Sequence, residues 1–209
     1  MRDSAIHLFV FDTMADWEAA FATAAINNPQ FQRLPGRFRI VTVGLTREPV
    51  TTMGGVRIQP DVALGEMSPF ASRMLLLPGG RSWEYGANSG AIDMARRFIA
   101  HCVPVAAICA ATLALARAGL LDNRYHTSNT RAYLAASGYR GGRFYRDKPA
   151  VTDQGVITAS GVAPVDFARE IFEALDLYSG DALDAWYSLF KYGSESALYK
   201  SEHGAQCGR

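Results

Sequence analysis

A short apolar run meets a helical stretch at a single cysteine in the segment Val105-Ala-Ala-Ile-Cys-Ala-Ala-Thr112. The alanine-rich stretch 110–118 follows Cys109 with no linker between them. We interpret this junction as a nucleophile elbow, the sharp strand-to-helix turn that presents one side chain above the edge of a sheet. Small neighbouring residues fit such a turn because its backbone is crowded. A buried core cysteine is the alternative interpretation, since free cysteine is among the most buried residue types.

Other apolar runs alternate with helical segments along the whole chain. Several of these runs are apolar throughout, which is typical of parallel strands covered on both faces. The sequence therefore predicts an α/β fold, a three-layer sandwich around a mostly parallel, flavodoxin-like central sheet. Strands are predicted at 6–11, 39–44, 74–78, 105–108, 150–152 and 156–158, a hairpin within 51–62, and helices at 17–27, 91–102, 110–118, 130–136, 164–175 and 182–192.

The chain carries no repeat and no linker, so residues 1–193 are expected to form one domain. Asp181 is the expected cap of its last helix, and residues 194–209 form a polar tail. On that helix Leu183, Trp186, Tyr187 and Phe190 follow helical spacing and make one apolar stripe. The stripe either packs on its own domain, which we favour, or contributes to a dimer interface.

Charge and hydropathy limit the partners of the chain. The formal net charge is +1 and there is no basic run, which argues against nucleic acid or an anionic membrane as the main partner. The longest uncharged run, 102–116, is too short to span a bilayer. The N-terminal apolar stretch is interrupted by His7 and Asp12, so it does not resemble a signal peptide. A cytoplasmic location is therefore expected.

The three cysteines are Cys102, Cys109 and Cys207. Their spacing matches neither a disulfide framework nor a metal site, so we expect no metal and no cofactor. A reducing cytoplasm keeps thiols free, as a catalytic cysteine requires.

The carboxyl ends of the predicted parallel strands should meet at one edge of the sheet, where ligand sites of such folds lie. These ends are Asp12, the pair Gly79-Gly80 and Cys109. A glycine loop lets a backbone N–H approach a ligand closely. The N–H groups of Gly80 and Ala110 could therefore form an oxyanion hole, although two adjacent glycines are equally compatible with a plain turn.

Three carboxylates, Asp12, Asp16 and Glu18, follow the first strand. A carboxyl group held against Cys109 could donate a hydrogen bond to its thiolate. The same residues could instead complement the positive end of the first helix.

These segments, taken together, resemble the ThiJ/PfpI superfamily, whose domain is similar to class I glutamine amidotransferases. The matching pieces are FVFDTMADWE (9–18), LLPGG (76–80), AICAATL (107–113), AGLLDNRYHTSN (118–129) and ITASG (157–161). They occur in the family's order and span residues 6–176. The resemblance is greatest to a bacterial branch whose members are described as proteases or as amidotransferase-like. Residues 160–166 lack the late histidine of true glutamine amidotransferases, so glutaminase activity is not expected.

The resemblance assigns roles to individual residues. It implies that Cys109 is the nucleophile, Glu18 its carboxyl partner and His126 the nearby histidine. It also implies oxyanion donors at Gly80 and Ala110, and a homodimer. We expect the helix N-terminus and the carboxyl partner together to depress the pKa of Cys109.

Residues after the glycine loop are expected to shape a compact pocket. Trp83 and Tyr85 would narrow it, and Asp16 and Gly79 would line it. Such a pocket favours a small-molecule substrate, and the leading hypothesis is a cysteine-dependent enzyme acting on a small carbonyl or amide compound. The sequence leaves open an amidase-like or peptidase-like hydrolase and a glyoxalase-type lyase. The alternative is an oxidative-stress or redox-sensing protein in which Cys109 reacts without turnover.

Overall fold

A computed structural model describes residues 4–194. Its strands are β1 (Ala5–Phe9), β2 (Arg39–Gly44), β3 (Val50–Thr51), β4 (Arg57–Ile58), β5 (Val62–Ala63), β6 (Met74–Leu77), β7 (Val105–Ile108), β8 (Ala150–Asp153) and β9 (Val156–Ala159). Its helices are α1 (Asp16–Asn27), α2 (Ser89–Ala100), α3 (Ala110–Arg117), α4 (Arg131–Ala135), α5 (Pro164–Leu175) and α6 (Gly180–Tyr192).

Seven strands form the central sheet in the order β5-β2-β1-β6-β7-β9-β8. Every neighbouring pair is parallel except β8 and β9, which are antiparallel across a tight turn. The continuous apolar runs account for this arrangement, since β6 and β7 are buried along their whole length. Helices α1, α5 and α6 pack together, α2 packs against α3, and both α2 and α5 contact β7. The predicted three-layer α/β fold with a mostly parallel sheet is confirmed.

The predicted hairpin forms, but it is shorter than its segment. β3 and β4 pair antiparallel around the Gly54-Gly55 turn. Val62, the last residue of the predicted hairpin segment, instead begins β5, a parallel edge strand on β2. Hairpin strands and parallel edge strands are both built from β-prone residues, so the local sequence does not distinguish one from the other.

The last helix begins one residue earlier than its predicted cap. Ser179, rather than Asp181, is the N-cap, and its hydroxyl accepts a hydrogen bond from the backbone N–H of Ala182. Leu183 and Trp186 of the apolar stripe are buried on their own domain, with Trp186 lying 4.8 Å from Phe172 between ring centroids, whereas Phe190 is exposed. The predicted polar tail lies outside the described residues from position 195 onward. Within residues 4–194, no helix is long and apolar enough to cross a membrane.

Candidate active site

Cys109 occupies the junction between β7 and α3 with a φ of 59° and a ψ of −126°. A positive φ is uncommon for a residue with a side chain and is found where the surrounding structure enforces it. The backbone N–H of Cys109 donates to the carbonyl of Ala159 at 3.0 Å, which extends the β7–β9 ladder up to the turn. The chain then enters α3 at once. This is the elbow geometry, and it lifts the Cys109 side chain out of the sheet.

Two glycines face Cys109 because nothing larger fits. A Cβ on Gly161 would lie 2.8 Å from the Cys109 Sγ atom. A Cβ on Gly79 would lie 2.7 Å from the Cys109 Cβ atom and 2.6 Å from Glu18 Oε2. Real Cβ atoms do not make such contacts, so the elbow, the loop after β6 and the loop after β9 meet at a point that only glycine permits.

Glu18 reaches this point from the first turn of α1, and only 1% of its surface is exposed. Its Oε2 atom accepts a hydrogen bond from the backbone N–H of Gly79 at 2.5 Å, and its carboxyl group also hydrogen-bonds with Cys109. The N–H of Ala15 donates to the Gly79 carbonyl at 2.9 Å, which ties the start of α1 to the same loop. Burial raises the pKa of Glu18 to about 7, and the two hydrogen bonds oppose that rise only in part.

The prediction that Cys109 has a depressed pKa is wrong for this environment. Burial and the negative charge of Glu18 raise the pKa of Cys109 to about 11, although Asn129 and the N–H of Ala110 act in the opposite direction. The sequence indicates only the helix N-terminus and nearby hydrogen-bond donors, both of which lower a thiol pKa. In the structure, the effect of burial on the pKa of Cys109 is larger than theirs. Because the two groups touch, they titrate as a pair, and the first proton leaves the pair near the pKa of Glu18.

Asn129 is a site residue that the sequence reasoning missed. Its Nδ2 atom lies 3.3 Å from the Cys109 Sγ atom, and its Oδ1 atom accepts a hydrogen bond from the N–H of Gly161 at 2.9 Å. In the sequence, Asn129 is indicated only by its position as the last residue of segment 118–129, which contributes to the family resemblance. Asparagine seldom acts as a proton carrier, so the residue type by itself does not indicate a catalytic role.

The structure does not bring His126 to the sulfur. The ring is fully buried, its Nδ1 atom bonds the Arg124 carbonyl at 2.8 Å, and its Nε2 atom bonds the Tyr139 hydroxyl at 3.0 Å. It also packs edge-on against Tyr145. Burial lowers the pKa of His126, which favours the neutral ring. These contacts describe a structural histidine, not the catalytic one that the resemblance implied.

A cavity of about 230 Å³ opens beside Cys109. Gly80 and Ala110, the predicted oxyanion donors, both line it together with Glu18 and Asn129. The backbone of Gly80 is extended, with a φ of 162°, so its conformation is open to any residue. A Cβ there would nevertheless lie 2.7 Å from the Phe11 ring and from the Thr13 carbonyl.

The mouth of the cavity is formed by residues other than those predicted. Trp83 is almost fully buried, packs on Phe9 and Phe11, and donates to the Pro78 carbonyl. Tyr85 is 78% exposed and does not line the cavity. The loop after β6 turns its first aromatic residue into the core and its second into solvent, an outcome that depends on tertiary packing.

The cavity is lined by Trp17, Met53 and Tyr133, whereas Trp83 and Tyr85 were predicted to line it. The indole N–H of Trp17 donates to the Gly161 carbonyl at 3.2 Å. The Tyr133 hydroxyl donates to the Glu84 carboxylate at 3.2 Å across the opening. The cavity is therefore framed by α1, α4 and the hairpin turn.

Asp16 and Asp12 hold the β3–β4 hairpin and do not line the cavity. Asp16 accepts hydrogen bonds from the Thr52 hydroxyl at 2.5 Å and from the Gly54 N–H at 2.7 Å. Although burial acts against them, these bonds keep the pKa of Asp16 below its usual value. Asp12 accepts from the N–H of Thr51 at 2.7 Å. The two carboxylates thus position Met53 over the cavity indirectly.

Within residues 4–194, no three His, Cys, Asp or Glu side chains come close enough together to hold a metal ion. Cys102 is exposed, lies two residues after the end of α2 and is not among the residues that line the Cys109 cavity.

Comparison with known proteins shows which family this chain matches. Residues 4–174 match the DJ-1/PfpI family. The uncharacterized protease YoaZ of Bacillus subtilis (strain 168) is 38% identical over 194 residues, covering 91% of this chain and 92% of that protein. The crystal structure of a thiJ/pfpI family protein from Bacillus anthracis superposes with a TM-score of 0.87 and 39% identity, covering 93% of both chains.

More distant relatives carry names of other activities. The glutathione-independent glyoxalase DJR-1.2 of Caenorhabditis elegans is 28% identical over 68% of this chain and 75% of its own length. The deglycase PYRAB04690 of Pyrococcus abyssi is 32% identical over 43% of this chain and 54% of its own length. Relatives of this chain are thus named protease, glyoxalase and deglycase.

Proposed function

Because the chain belongs to the DJ-1/PfpI family, we propose that it is a cysteine-dependent enzyme acting on a small carbonyl or amide compound. The contact between the buried Glu18 carboxyl group and Cys109 carries the proposal. Burying a carboxyl group is costly, and this one is placed where it can accept a proton from a nucleophile. Its pKa of about 7 suits a general base at neutral pH.

The first chemical step follows from these positions. A substrate carbonyl enters the cavity above Cys109, and the sulfur bonds to its carbon while the thiol proton passes to the Glu18 carboxylate. The carbonyl π electrons move onto oxygen. The N–H groups of Gly80 and Ala110, which line the same cavity, are the candidates that stabilise this oxyanion.

Among carbonyl compounds we favour a 2-oxoaldehyde such as methylglyoxal. Attack of Cys109 on the aldehyde gives a hemithioacetal. By returning the thiol proton to the oxyanion, Glu18 completes the hemithioacetal and becomes a carboxylate again. It then removes the proton on the former aldehyde carbon and delivers it to the neighbouring carbon. The hydroxyl proton moves to the former ketone oxygen, which leaves a thioester of the 2-hydroxy acid. Water then hydrolyses the thioester and releases lactate and the free thiol. The net change adds one water and needs no redox partner and no cofactor.

The size of the cavity supports a small substrate over a protein chain. A volume of about 230 Å³ suits a molecule of a few heavy atoms, whereas a peptidase needs an extended groove. The hydrogen-bonded pair Tyr133 and Glu84 lines the cavity together with Trp17. We therefore rank glyoxalase-type activity above proteolysis, although the relative YoaZ is named a protease. We further propose that the protein works in the cytoplasm, where its thiol stays reduced.

The test is lactate formation from methylglyoxal without glutathione, run beside casein hydrolysis. Wild type and Cys102→Ser are expected to make many equivalents of lactate per chain, and Cys109→Ser none. Cys102→Ser is the matched control because its thiol lies outside the cavity. Cys109-dependent cleavage of casein without lactate would reverse the ranking. A single equivalent of product, or Cys109 oxidation alone, would support the redox-sensing alternative.

A further inference from the structure

The orientation of the Asn129 amide is determined by its surroundings. The N–H of Gly161 can only donate, so the atom that faces it at 2.9 Å must be the amide oxygen. The amide nitrogen is then turned towards the Cys109 Sγ atom, 3.3 Å away. An N–H donor at that position interacts more strongly with a negatively charged sulfur than with a neutral thiol.

In this geometry, charge stabilisation and proton transfer fall to two different residues, whereas a histidine could do both. The asparagine amide can stabilise negative charge as a hydrogen-bond donor, but it does not titrate near neutral pH. His126 is committed to Arg124 and Tyr139, so it does not serve the sulfur. Among the described residues that hydrogen-bond with Cys109 through their side chains, Glu18 alone titrates.

We propose that Asn129 is a catalytic residue of this site, in which its amide N–H stabilises the charge on Cys109 while Glu18 alone carries the proton. The inference rests on the proposed function for its role in turnover. Its effect on the sulfur is independent of any substrate. The relevant chemistry is therefore measured first on the thiol itself, with iodoacetamide as the probe.

Asn129→Asp removes the donor and keeps the contact with the loop after β9. Its carboxylate still accepts a hydrogen bond from the Gly161 N–H, but an acceptor replaces the amide N–H beside the sulfur. The Cys109 alkylation rate at pH 8 is expected to fall at least about tenfold, since hydrogen bonds to charged groups are worth about one pKa unit or more. Asn129→Ala, which loses the donor without adding repulsion, should fall between wild type and Asn129→Asp. Lactate formation should follow the same order.

The control is Thr127→Val, which removes a hydrogen bond of 2.7 Å to the Lys148 carbonyl from the same segment without touching the sulfur. Its alkylation rate should stay close to that of wild type. Wild-type alkylation rates in Asn129→Asp, or an equal loss in Thr127→Val, would overturn the proposal by showing that Asn129 only holds the segment in place. Because alkylation requires no turnover, a wild type without lactate activity would refute the glyoxalase assignment and leave this result interpretable.

Discussion

At the scale of single residues, the central unit is the proton shared by Glu18 and Cys109. Neither group is well placed to be charged by itself, because both are largely buried. Between the titration of the first and the second group, the pair holds one proton and one negative charge. A neutral thiol beside a carboxylate and a thiolate beside a carboxylic acid are then two forms of one state. The cysteine reacts near neutral pH without having an acidic thiol of its own.

The buried carboxyl group should also make folding stability depend on pH. The pKa of Glu18 is raised from its ordinary value of 4.5 to about 7 in the folded chain. Its contribution is therefore fully present below pH 4.5 and is lost as the pH rises through 7, a change of about 3 kcal/mol. Glu18→Gln has no such titration. The free energy of unfolding of Glu18→Gln, relative to that of wild type, should therefore be about 3 kcal/mol more favourable at pH 8 than at pH 4. Urea denaturation at both pH values measures this difference, and parallel pH dependences would contradict it.

At the scale of elements, the site is the meeting point of three loops rather than a feature of one. The elbow after β7, the Gly79-Gly80 loop after β6 and the Gly161 loop after β9 come within contact distance because their strands are neighbours in the sheet. Glu18 comes from helix α1, which follows β1, the strand next to β6 in the sheet. Parallel strands place all these carboxyl ends at one edge, so the sheet order itself assembles the site.

The close packing of these loops is tested by Gly161→Ala. The added Cβ would lie 2.8 Å from Sγ and 3.1 Å from Glu18 Oε1, so the loop must move and its bonds to Asn129 and Trp17 should weaken. We expect Cys109 alkylation and lactate formation to fall at least about tenfold, with a loss of stability of about 1–3 kcal/mol.

Gly180→Ala at the start of α6 is the matched control, because an added Cβ meets nothing within 4 Å. Its alkylation rate and its urea midpoint should match those of wild type. If Gly161→Ala behaved like this control, the glycine would not be required for the site.

The sequence predicts those features that depend on neighbouring residues. Continuous apolar runs identified the buried strands, and the strand-to-helix junction identified the elbow at Cys109. The sequence does not predict features that depend on contacts between distant parts of the chain. Asn129 lies twenty residues from Cys109 and reaches it only because its Oδ1 atom is held by the loop after β9. The burial that raises the pKa of Cys109 likewise comes from elements far apart in the sequence.

The loop after β6 shows the same limit. Trp83 and Tyr85 are aromatic and follow the glycines, so a role in the pocket was a reasonable prediction. Packing on Phe9 and Phe11 instead draws Trp83 into the core. The mouth is built by Trp17 and Tyr133, from two helices that no local pattern connects.

At the scale of the whole molecule, we predict a homodimer, as the resemblance to ThiJ/PfpI proteins implies. The described surface offers an apolar groove of about 360 Å³ between α1 and α6, lined by Phe21, Trp186 and Phe190. Phe190 remains 45% exposed although it packs on Phe21 at 5.5 Å between ring centroids. Exposed apolar surface of this kind is often used for association. Light scattering at micromolar concentration should give twice the mass of the chain, and a monomer there would refute the prediction.

The most direct test of the account is the pH dependence of Cys109 alkylation by iodoacetamide, followed by mass spectrometry. In wild type the rate should rise with an apparent pKa near 7, the value of Glu18. In Glu18→Leu the proton acceptor is gone and burial remains, so the apparent pKa should move above the ordinary thiol value of 9.0. Asp16→Asn, which changes the other carboxylate of the same helical turn, should keep the wild-type profile. Identical profiles in wild type and Glu18→Leu, or faster labelling of Cys102 at neutral pH, would contradict the assignment of Glu18 and Cys109 as the reacting pair.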